Sequence, residues 1–474
     1  MFGSFTTLPI AFGLLFFFKY VRLIGNLIGY GTYKPIHPGT APRLIRSPGN
    51  KDFAPQSDLS DDQPTKSFQA CREPSPEYNS EEPLTPQDVT VIVPALDPSQ
   101  ESLRRFLPTC VQNNPKEIFL VTIDEKLGQA VTLAESISTR ITVLSIERPN
   151  KRRQILEALP GVSTKIIILA DDDVVWPRNL LKWMLAPFDG DPKIGGVGTN
   201  QRVMKGPKST FWDFLNSQYL IRRNFDCTAC AQIDGGLPCL SGRTVAYRAK
   251  ILQDPAFMWE FTHETWRTYL LNVDDDNFLT RWMVNHGWNT WIQNHPDCEV
   301  LTTLENNPLY ISQCLRWSRT NWRSNLKSMF QERTIWKRYP WSSFAVFQTT
   351  LTSWSPIYDL ALSTSFWNMT AGISFGWQCC LRSIMCLWIF WGCRAVKYVE
   401  HWKQYPEDLV YLPLLPFVGY LHTIIIKFWA MCTINRCCPH SEVWSCHQHQ
   451  LKVTRTRSLC PARHSPIRTT RPFS

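Results

Sequence analysis

The sequence predicts an α/β fold with a mostly parallel sheet, flanked at both ends by apolar helices suited to a membrane. Two observations predict the sheet: short apolar runs alternate with helical stretches, and the connections between them are short. A third observation predicts the flanks, because residues 1–32 and 339–433 are rich in apolar and aromatic side chains. With 474 residues, the chain is long enough for more than one folded unit.

Composition narrows the classes of partner. The chain has 50 Lys and Arg against 40 Asp and Glu, a formal charge of +10. The basic residues are spread along the chain, which predicts no nucleic-acid partner. The 20 Trp and 26 Phe residues crowd toward the second half, as is typical of proteins at a lipid bilayer. The 16 Cys residues show no regular spacing, which favours reduced thiols over disulfides.

Residues 1–32 are predicted to form an N-terminal membrane anchor. The segment Phe5–Phe18 is almost wholly apolar, and the apolar character continues over Leu23–Tyr30, which together reach a spanning length. A cleaved signal peptide is the alternative, but no basic residues precede the apolar run and no clear small-residue cleavage site follows it. Lys19 and Arg22 place the following residues in the cytosol.

Residues 33–87 are rich in Pro, Ser, Asp and Glu, which predicts a disordered linker. An ordered domain is predicted over residues 88–338, where strands and helices alternate. Its first strands are predicted at Val89–Pro94, Glu117–Thr122, Ile141–Ile146 and Lys165–Ala170, with helices at Gln129–Thr139 and Lys151–Leu159. Ligands of such sheets bind beyond the carboxyl ends of the strands.

Residues 339–433 are predicted to be membrane-spanning or interfacial. The stretches Phe344–Trp377, Ile384–Val396 and Leu409–Met431 suggest three or four membrane-associated segments, and buried helices of a soluble domain are the alternative. Residues 434–474 are rich in Cys, His and Arg. Their spacing matches no standard zinc site, so a disordered tail is predicted there.

Three consecutive aspartates, Asp171, Asp172 and Asp173, directly follow a predicted buried strand. Crowded carboxylates repel one another unless a cation neutralises them. Mg²⁺ and Mn²⁺ prefer oxygen ligands, often one or two carboxylates with phosphate and water completing the shell. The pattern therefore favours a metal site that receives a nucleotide diphosphate, over the alternative of a solvated loop or a helix N-cap.

A second acidic triad, Asp274, Asp275 and Asp276, precedes an apolar stretch. Acidic residues at a helix start interact well with the helix dipole, so a purely structural role is one interpretation. The other gives Asp276 the role of general base, since neighbouring carboxylates would raise its pKa toward a useful range.

A basic and aromatic segment follows the second triad. Gln313, Arg316 and Trp317 form a Gln-x-x-Arg-Trp pattern, in which the arginine can grip a diphosphate and the indole can stack on a sugar ring. A basic amphipathic helix lying on anionic lipid is the alternative.

Two smaller elements support a phosphate-handling site. Lys151 and Arg152 open a predicted helix and are candidates for contact with phosphate. Ser241, Gly242 and Arg243 form a tight turn before a short apolar run and are candidates for an acceptor site.

Taken in order and at fitting spacing, these motifs resemble the processive family 2 glycosyltransferases, the group of hyaluronan, chitin and cellulose synthases. The likeness covers about residues 33–433 and is greatest to the fungal polysaccharide-synthase-like branch. The resemblance implies a GT-A fold at the cytosolic face of a plasma membrane or Golgi/secretory membrane, in a multi-pass protein. It further implies a UDP-sugar donor, a Mn²⁺ or Mg²⁺ ion, a growing glycan as acceptor, and inversion to a β-linkage.

The resemblance also assigns roles to residues. It implies metal binding by Asp171 and Asp173 and catalysis by Asp276 with Asp275. For the donor nucleotide it implies Asp97, Asp124, Lys151, Arg152 and Asp172. For the acceptor and diphosphate it implies Ser241, Gly242, Arg243, Gln313, Arg316 and Trp317.

The chain departs from the family pattern in two places. Asn277 stands where many relatives have Arg, and the likeness fades beyond Met431. Two alternatives therefore stay open at this point. One is a non-processive transferase acting on a lipid or a small secondary metabolite, and the other is a non-catalytic membrane scaffold.

Overall fold

The computed structural model describes residues 3–39, 82–206, 209–272, 274–351 and 354–436, and the side chains from residue 9 onward. Most of the predicted linker and most of the predicted tail lie outside these residues. The described residues up to Ile434 belong to one compact unit. The division into domains at residues 88–338 and 339–433 stays a prediction.

The described strands cluster between residues 89 and 302, within the region predicted to hold the sheet. They are β1 (Val89–Pro94), β2 (Glu117–Ile123), β3 (Ile141–Ile146), β4 (Ile166–Ala170), β5 (Val174–Val175), β6 (Ile194–Thr199), β7 (Gln201–Val203), β8 (Thr244–Arg248), β9 (Thr265–Trp266), β10 (Tyr269–Leu270), β11 (Asn289–Gln293) and β12 (Val300–Thr302). The four strands predicted from the sequence match β1 to β4 to within one residue at each end.

The main sheet has seven strands in the order β11-β6-β8-β4-β1-β2-β3. β1 pairs in parallel with β2 and β4, β2 with β3, and β6 with β11. Only β8 runs antiparallel to its neighbours in this described sheet. The prediction of a mostly parallel sheet is confirmed, and the carboxyl ends of β1, β2 and β4 share one edge.

Burial on both faces explains why the central strands read as continuous apolar runs. Every residue of β1 and β4 is buried, including Ile166, Ile167 and Ile168. Helices cover both faces of a parallel sheet, so alternation between apolar and polar residues is not required. A smaller sheet is formed by β5, β12 and β7, and β9 pairs with β10.

The α-helices occur both between the strands and in the apolar flanks. They are α1 (Gly3–Thr32), α2 (Glu101–Gln112), α3 (Leu127–Ile137), α4 (Lys151–Ala158), α5 (Leu180–Gly190), α6 (Phe211–Ile233), α7 (Ala249–Leu252), α8 (Pro255–His263), α9 (Asp275–Asn285), α10 (Leu309–Leu326), α11 (Thr334–Arg338), α12 (Pro340–Thr350), α13 (Ser355–Met369), α14 (Phe375–Leu387), α15 (Cys393–Ala395), α16 (Val399–Gln404), α17 (Leu415–Tyr420) and α18 (Phe428–Cys432). The predicted helices at residues 129–139 and 151–159 correspond to α3 and α4.

Three helical segments of the described chain are long and apolar enough to cross a membrane: Pro9–Thr32, Phe375–Gln404 and Pro406–Cys432. Two of the three apolar stretches predicted in the second half, Ile384–Val396 and Leu409–Met431, lie within these segments. The remaining stretch, Phe344–Trp377, divides into the shorter helices α12 and α13 and the start of α14. Pro356 stands in the first turn of α13, where its missing N–H is tolerated.

Candidate active site

The first aspartate triad lies at the carboxyl edge of the sheet. Asp171 directly follows β4, and its backbone N–H donates to the carbonyl oxygen of Arg243 at 3.1 Å. Arg243 directly precedes β8, the antiparallel neighbour of β4. The pairing of these two strands therefore brings the first triad beside the predicted Ser-Gly-Arg turn.

Lys151 joins the two aspartate triads. Asn150 caps α4 by accepting a hydrogen bond from the Arg153 N–H at 3.1 Å, which places Lys151 at the first helical position. The Lys151 ammonium lies 2.8 Å from Asp171 Oδ1 and 3.0 Å from Asp275 Oδ2. Burial alone would lower the pKa of Lys151, but the two carboxylates outweigh it and hold the pKa above its usual range.

Gly242 gives the backbone the close approach that this arrangement needs. A Cβ atom at Gly242 would lie 3.3 Å from Lys151 Nζ, 3.6 Å from Asp275 Oδ2 and 3.7 Å from the Asp276 Cβ. The turn therefore packs directly against the lysine bridge, which explains why a glycine suits this position.

The aspartates of the first triad titrate differently from isolated surface carboxylates. Burial, followed by repulsion from Asp173 and Asp171, raises the pKa of Asp172 to about 8. Burial and the charge of Asp171 raise the pKa of Asp173 to about 6, although Arg243 and Thr303 oppose the shift. The Thr303 hydroxyl donates to Asp173 Oδ2 at 3.4 Å. Such crowding favours binding of an additional cation.

The second triad separates into three environments. Asp275 pairs with Lys151, and this pairing lowers its pKa despite burial. Asp276 has no such ion pair within the described chain, and burial together with the charge of Asp275 raises its pKa to about 6. Its Oδ1 accepts the Asn277 N–H at 2.8 Å. Asp276 therefore has the character of a base poised near neutral pH.

Asp274 also lines the cavity, but its carboxylate connects α9 to α10. Its backbone is left-handed, with φ of 71°, and its buried carboxylate accepts hydrogen bonds from Thr320 and Arg323. Arg323 Nη2 lies 2.8 Å from Asp274 Oδ2. The Asp274 carboxylate is therefore engaged by α10, whereas Asp275 contacts Lys151 and Asp276 makes no ion pair in the described chain.

A cavity of about 640 Å³ collects most of the predicted residues and extends into the apolar helices. Trp317 stacks on Tyr219 with a centroid separation of 5.0 Å, and the Arg243 guanidinium lies 5.3 Å from the Trp317 ring. Predicted residues that line the cavity are Lys151, Asp171, Asp173, Ser241, Gly242, Arg243, Asp275, Asp276, Gln313, Arg316 and Trp317.

Four predicted residues do not line this cavity. The buried side chain of Arg152, in the first turn of α4, donates to the Phe261 carbonyl at 2.7 Å and to Glu264 at 2.8 Å. The structure therefore gives Arg152 a packing role and does not bring it to the predicted phosphate site. Asp97, Asp124 and Asp172 stand near the carboxyl ends of β1, β2 and β4, outside the set of lining residues.

Sequence reasoning missed the contribution of α6. Tyr219, Arg222 and Arg223 on this helix line the cavity, together with Cys239 of the following loop. The spacing of Tyr219 and Arg222 at i and i+3 was the available signal, since such residues share a helix face. What the sequence did not show was that this face meets Trp317 rather than solvent.

The residues present fit a divalent metal ion of the hard, oxygen-preferring kind. Asp171 and Asp173 supply carboxylate oxygens to the same cavity. The described residues contain no cluster of three or more His, Cys, Asp and Glu side chains arranged to hold a metal alone. Mg²⁺ does not require such a cluster, because it is often bound by one or two carboxylates together with substrate phosphates and water.

Comparison with known proteins identifies the family. Residues 86–320 match the family described as glycosyltransferase like family 2. A type 2 glycosyltransferase of Zymoseptoria tritici is 45% identical over 426 residues, covering 90% of this chain and 82% of that protein. The chain belongs to the family 2 glycosyltransferases. It is therefore an enzyme, and its mostly parallel sheet is the GT-A-like α/β arrangement predicted for this family.

More distant relatives are consistent with this family. An NDP-glycosyltransferase of Aspergillus luteorubrus is 30% identical over 374 residues, covering 74% of this chain and 87% of that protein. Hyaluronan synthase 3 of Xenopus laevis is 28% identical over 183 residues, covering 38% of this chain and 32% of that protein. The predicted resemblance to family 2 is thus confirmed, whereas membership of its processive branch stays a prediction.

Proposed function

We propose that this family 2 glycosyltransferase moves a sugar from a UDP-sugar to a growing polysaccharide, with inversion to a β-linkage and with a divalent metal. One observation carries the proposal: carboxylates of both triads meet around Lys151 in a cavity that is also lined by Trp317 and by side chains of the apolar helices. Such a cavity would join a donor site and an acceptor path in one space.

In the donor half, Asp171 and Asp173 would hold Mn²⁺ or Mg²⁺. When bound there, the metal ion supplies positive charge that stabilises the leaving diphosphate. Lys151 stands next to Asp171 and adds a second positive charge at the same place. Arg316 lines the cavity with an exposed side chain and is available to donate to diphosphate oxygens.

In the acceptor half, Asp276 would accept the proton of the attacking sugar hydroxyl. The hydroxyl oxygen then forms the bond to the anomeric carbon as the bond to the diphosphate breaks on the opposite face, which inverts the configuration. Trp317 offers an aromatic face to the acceptor sugar. Buried Gln313 Oε1 has no hydrogen-bond partner among the described residues, so it is available to accept from an acceptor hydroxyl.

The same proposal places the enzyme in a membrane as a multi-pass protein with its sheet in the cytosol. The three candidate spans support the membrane location. Lys19 and Arg22 lie within the first span and pair with Asp359 and Asp226, so the cytosolic orientation rests on the predicted resemblance to the processive synthases. A plasma membrane or Golgi/secretory membrane fits a product that leaves the cell.

A donor screen with product sizing tests the proposal. Membranes containing the full chain are incubated with radiolabelled UDP-GlcNAc, UDP-Glc or UDP-GlcA, with Mn²⁺, Mg²⁺ or EDTA. We expect one donor to give a high-molecular-weight product that disappears in EDTA. A product with one sugar per acceptor would instead identify the non-processive alternative. Activity in EDTA would refute the metal role, and no transfer from any of the three UDP-sugars would refute the proposal.

A further inference from the structure

The part of the cavity that faces the apolar helices carries more positive than negative charge. Two carboxylates stand in or beside this region, Asp226 on α6 and Asp359 on α13. Six cationic side chains line it: Lys19, Arg22, Arg222, Arg394, Lys397 and Lys427. Because unpaired charge is costly to bury, this surplus of cationic side chains favours binding of a further anion.

Both carboxylates are already shared between two cations. Asp226 pairs with Lys397 at 3.2 Å and with Arg22 at 3.4 Å, and it also accepts the Asn26 amide at 2.9 Å. Asp359 pairs with Lys19 and with Arg394. These contacts leave Arg222 and Lys427 as the cations of the region without an ion pair in the described chain.

Arg222 and Lys427 nevertheless point into one space. The Arg222 guanidinium lies 5.6 Å from the centroid of the Tyr219 ring, and its Nη2 lies 3.5 Å from Nε2 of His422. Lys427 Nζ donates to the backbone carbonyl of Thr349 at 2.7 Å. A guanidinium does not give up its proton in proteins, so Arg222 cannot remove the imbalance by becoming neutral.

The surroundings indicate a lipid rather than a soluble anion. His422 and Lys427 belong to the candidate span Pro406–Cys432. The same cavity is walled by apolar side chains of that segment, namely Leu415, Val418, Leu421 and Ile426. Basic pockets between membrane helices are typical binding sites for phosphate-bearing lipid headgroups, since the tails find an apolar wall and the phosphate finds donors.

We propose that Arg222, His422 and Lys427 form a binding site for the phosphate group of a membrane lipid. The site adjoins the acceptor side of the active site, because Tyr219 contacts both Arg222 and Trp317. It uses none of the residues assigned to metal, donor or base. The lipid site therefore goes beyond the proposed glycosyl transfer, and lipid binding can be measured without it.

Binding of two lipids that differ only in the phosphate tests the site. The full chain in dodecyl maltoside, a detergent that contains no phosphate, is titrated with dipalmitoyl phosphatidic acid and with dipalmitoylglycerol, and bound lipid is counted by native mass spectrometry. We expect the phosphatidic acid to bind at least about tenfold more tightly, since charge-assisted hydrogen bonds supply the difference. Glycosyl transfer is not needed for this measurement.

Variants assign the binding to the proposed residues. We expect Arg222→Gln to weaken phosphatidic acid binding about tenfold, and Arg222→Lys to retain part of the affinity. Arg105→Gln removes an arginine of α2 that pairs with Glu101 on the surface, and it should change nothing. Equal binding of the two lipids, or unchanged binding by Arg222→Gln, would overturn the proposal. Displacement by an equal concentration of inorganic phosphate would identify a free-anion site and overturn it as well.

Discussion

Asp276 is the carboxylate whose protonation state should set the acid side of the activity profile. Burial and Asp275 raise its pKa to about 6, and only the deprotonated form can accept a proton. We therefore expect kcat/KM to increase as pH rises through about 6 and to level off above it. Steady-state values of kcat/KM measured between pH 5 and 8 would show this transition.

A control separates Asp276 from Asp173, whose pKa is also raised to about 6. Protons compete with metal at a metal ligand, so a transition caused by Asp173 moves to lower pH when the metal concentration is raised. A transition caused by Asp276 stays in place. A profile that is flat from pH 5 to 8 would contradict the assignment of the base.

The amide substitution Asp276→Asn tests the role of the proposed base directly. It keeps the shape of the side chain but cannot accept the hydroxyl proton, so we expect kcat to fall by about 100-fold or more. The affinity for the nucleotide sugar, measured by equilibrium binding, should change little because donor contacts are retained. Glu101→Gln, an exposed acidic residue of α2, is the matched control. Full activity in Asp276→Asn would remove Asp276 from the mechanism.

Residue types predicted which side chains face the site better than they predicted what each one does. Asp171, Asp173 and Asp276 line the cavity as expected, because burying an unpaired carboxylate in the apolar core at a strand end or helix start is costly. In the sequence, Arg152 and Lys151 are equally good candidates for contact with phosphate, yet the Arg152 side chain points toward Glu264. The sequence could not distinguish them, since direction depends on which helix face packs against α8.

At the scale of elements, the Asp274–Arg323 ion pair joins the helix of the base to the helix of the Gln-x-x-Arg-Trp motif. Both side chains are buried, so Asp274→Asn leaves a guanidinium without its counter-ion. We expect this change to destabilise the protein by about 3–5 kcal/mol. Asparagine tolerates the left-handed backbone at this position, so the loss reflects the charge rather than strain.

A double-mutant cycle isolates this contact. Asp274→Asn combined with Arg323→Gln removes both charges, and the pair should be destabilised less than the sum of the two single variants. Chemical or thermal unfolding of the purified protein gives the free energies. Additive effects of the two substitutions would show that the ion pair does not couple α9 to α10.

Strands and helices could be predicted where the local sequence pattern determines them. Features that depend on long-range contacts could not. β1 to β4 follow from apolar runs of strand length, and α4 begins where Asn150 caps it. The left-handed turn at Asp274 is different, because it depends on Thr320 and Arg323, which stand more than forty positions away in the sequence. Local propensity carries no information about such partners.

At the scale of the whole molecule, α1 is part of the folded unit rather than an anchor alone. Arg22 and Asn26 contact Asp226 of α6, and the Tyr33 hydroxyl donates to the carbonyl of Ile292 in β11 at 2.8 Å. The sequence predicted an apolar helix of spanning length at this end of the chain. It did not predict that the helix would form one wall of the cavity, because apolar residues look alike whether they face lipid or protein.

Gly29 offers the sharpest test of this packing. A Cβ atom there would lie 2.9 Å from the backbone carbonyl oxygen of Ala229 in α6 and 2.8 Å from the Ile233 side chain. Since a backbone atom cannot turn aside, Gly29→Ala must push α1 away from α6, at a cost of about 1–3 kcal/mol. We expect a lower melting temperature together with weaker glycosyl transfer, because the displaced helix carries Lys19 and Arg22 of the cavity wall.

Gly13 supplies the matched control on the same helix. Outside the adjoining turns of α1, no atom of the described residues lies within 4 Å of a Cβ placed at Gly13, so Gly13→Ala meets open space and gains helix propensity of about 1 kcal/mol. Thermal unfolding and transfer rates of the two variants in the same membrane preparation make the comparison. If Gly29→Ala behaved like Gly13→Ala, the contact between α1 and α6 would be dispensable, and α1 would act as a membrane anchor only.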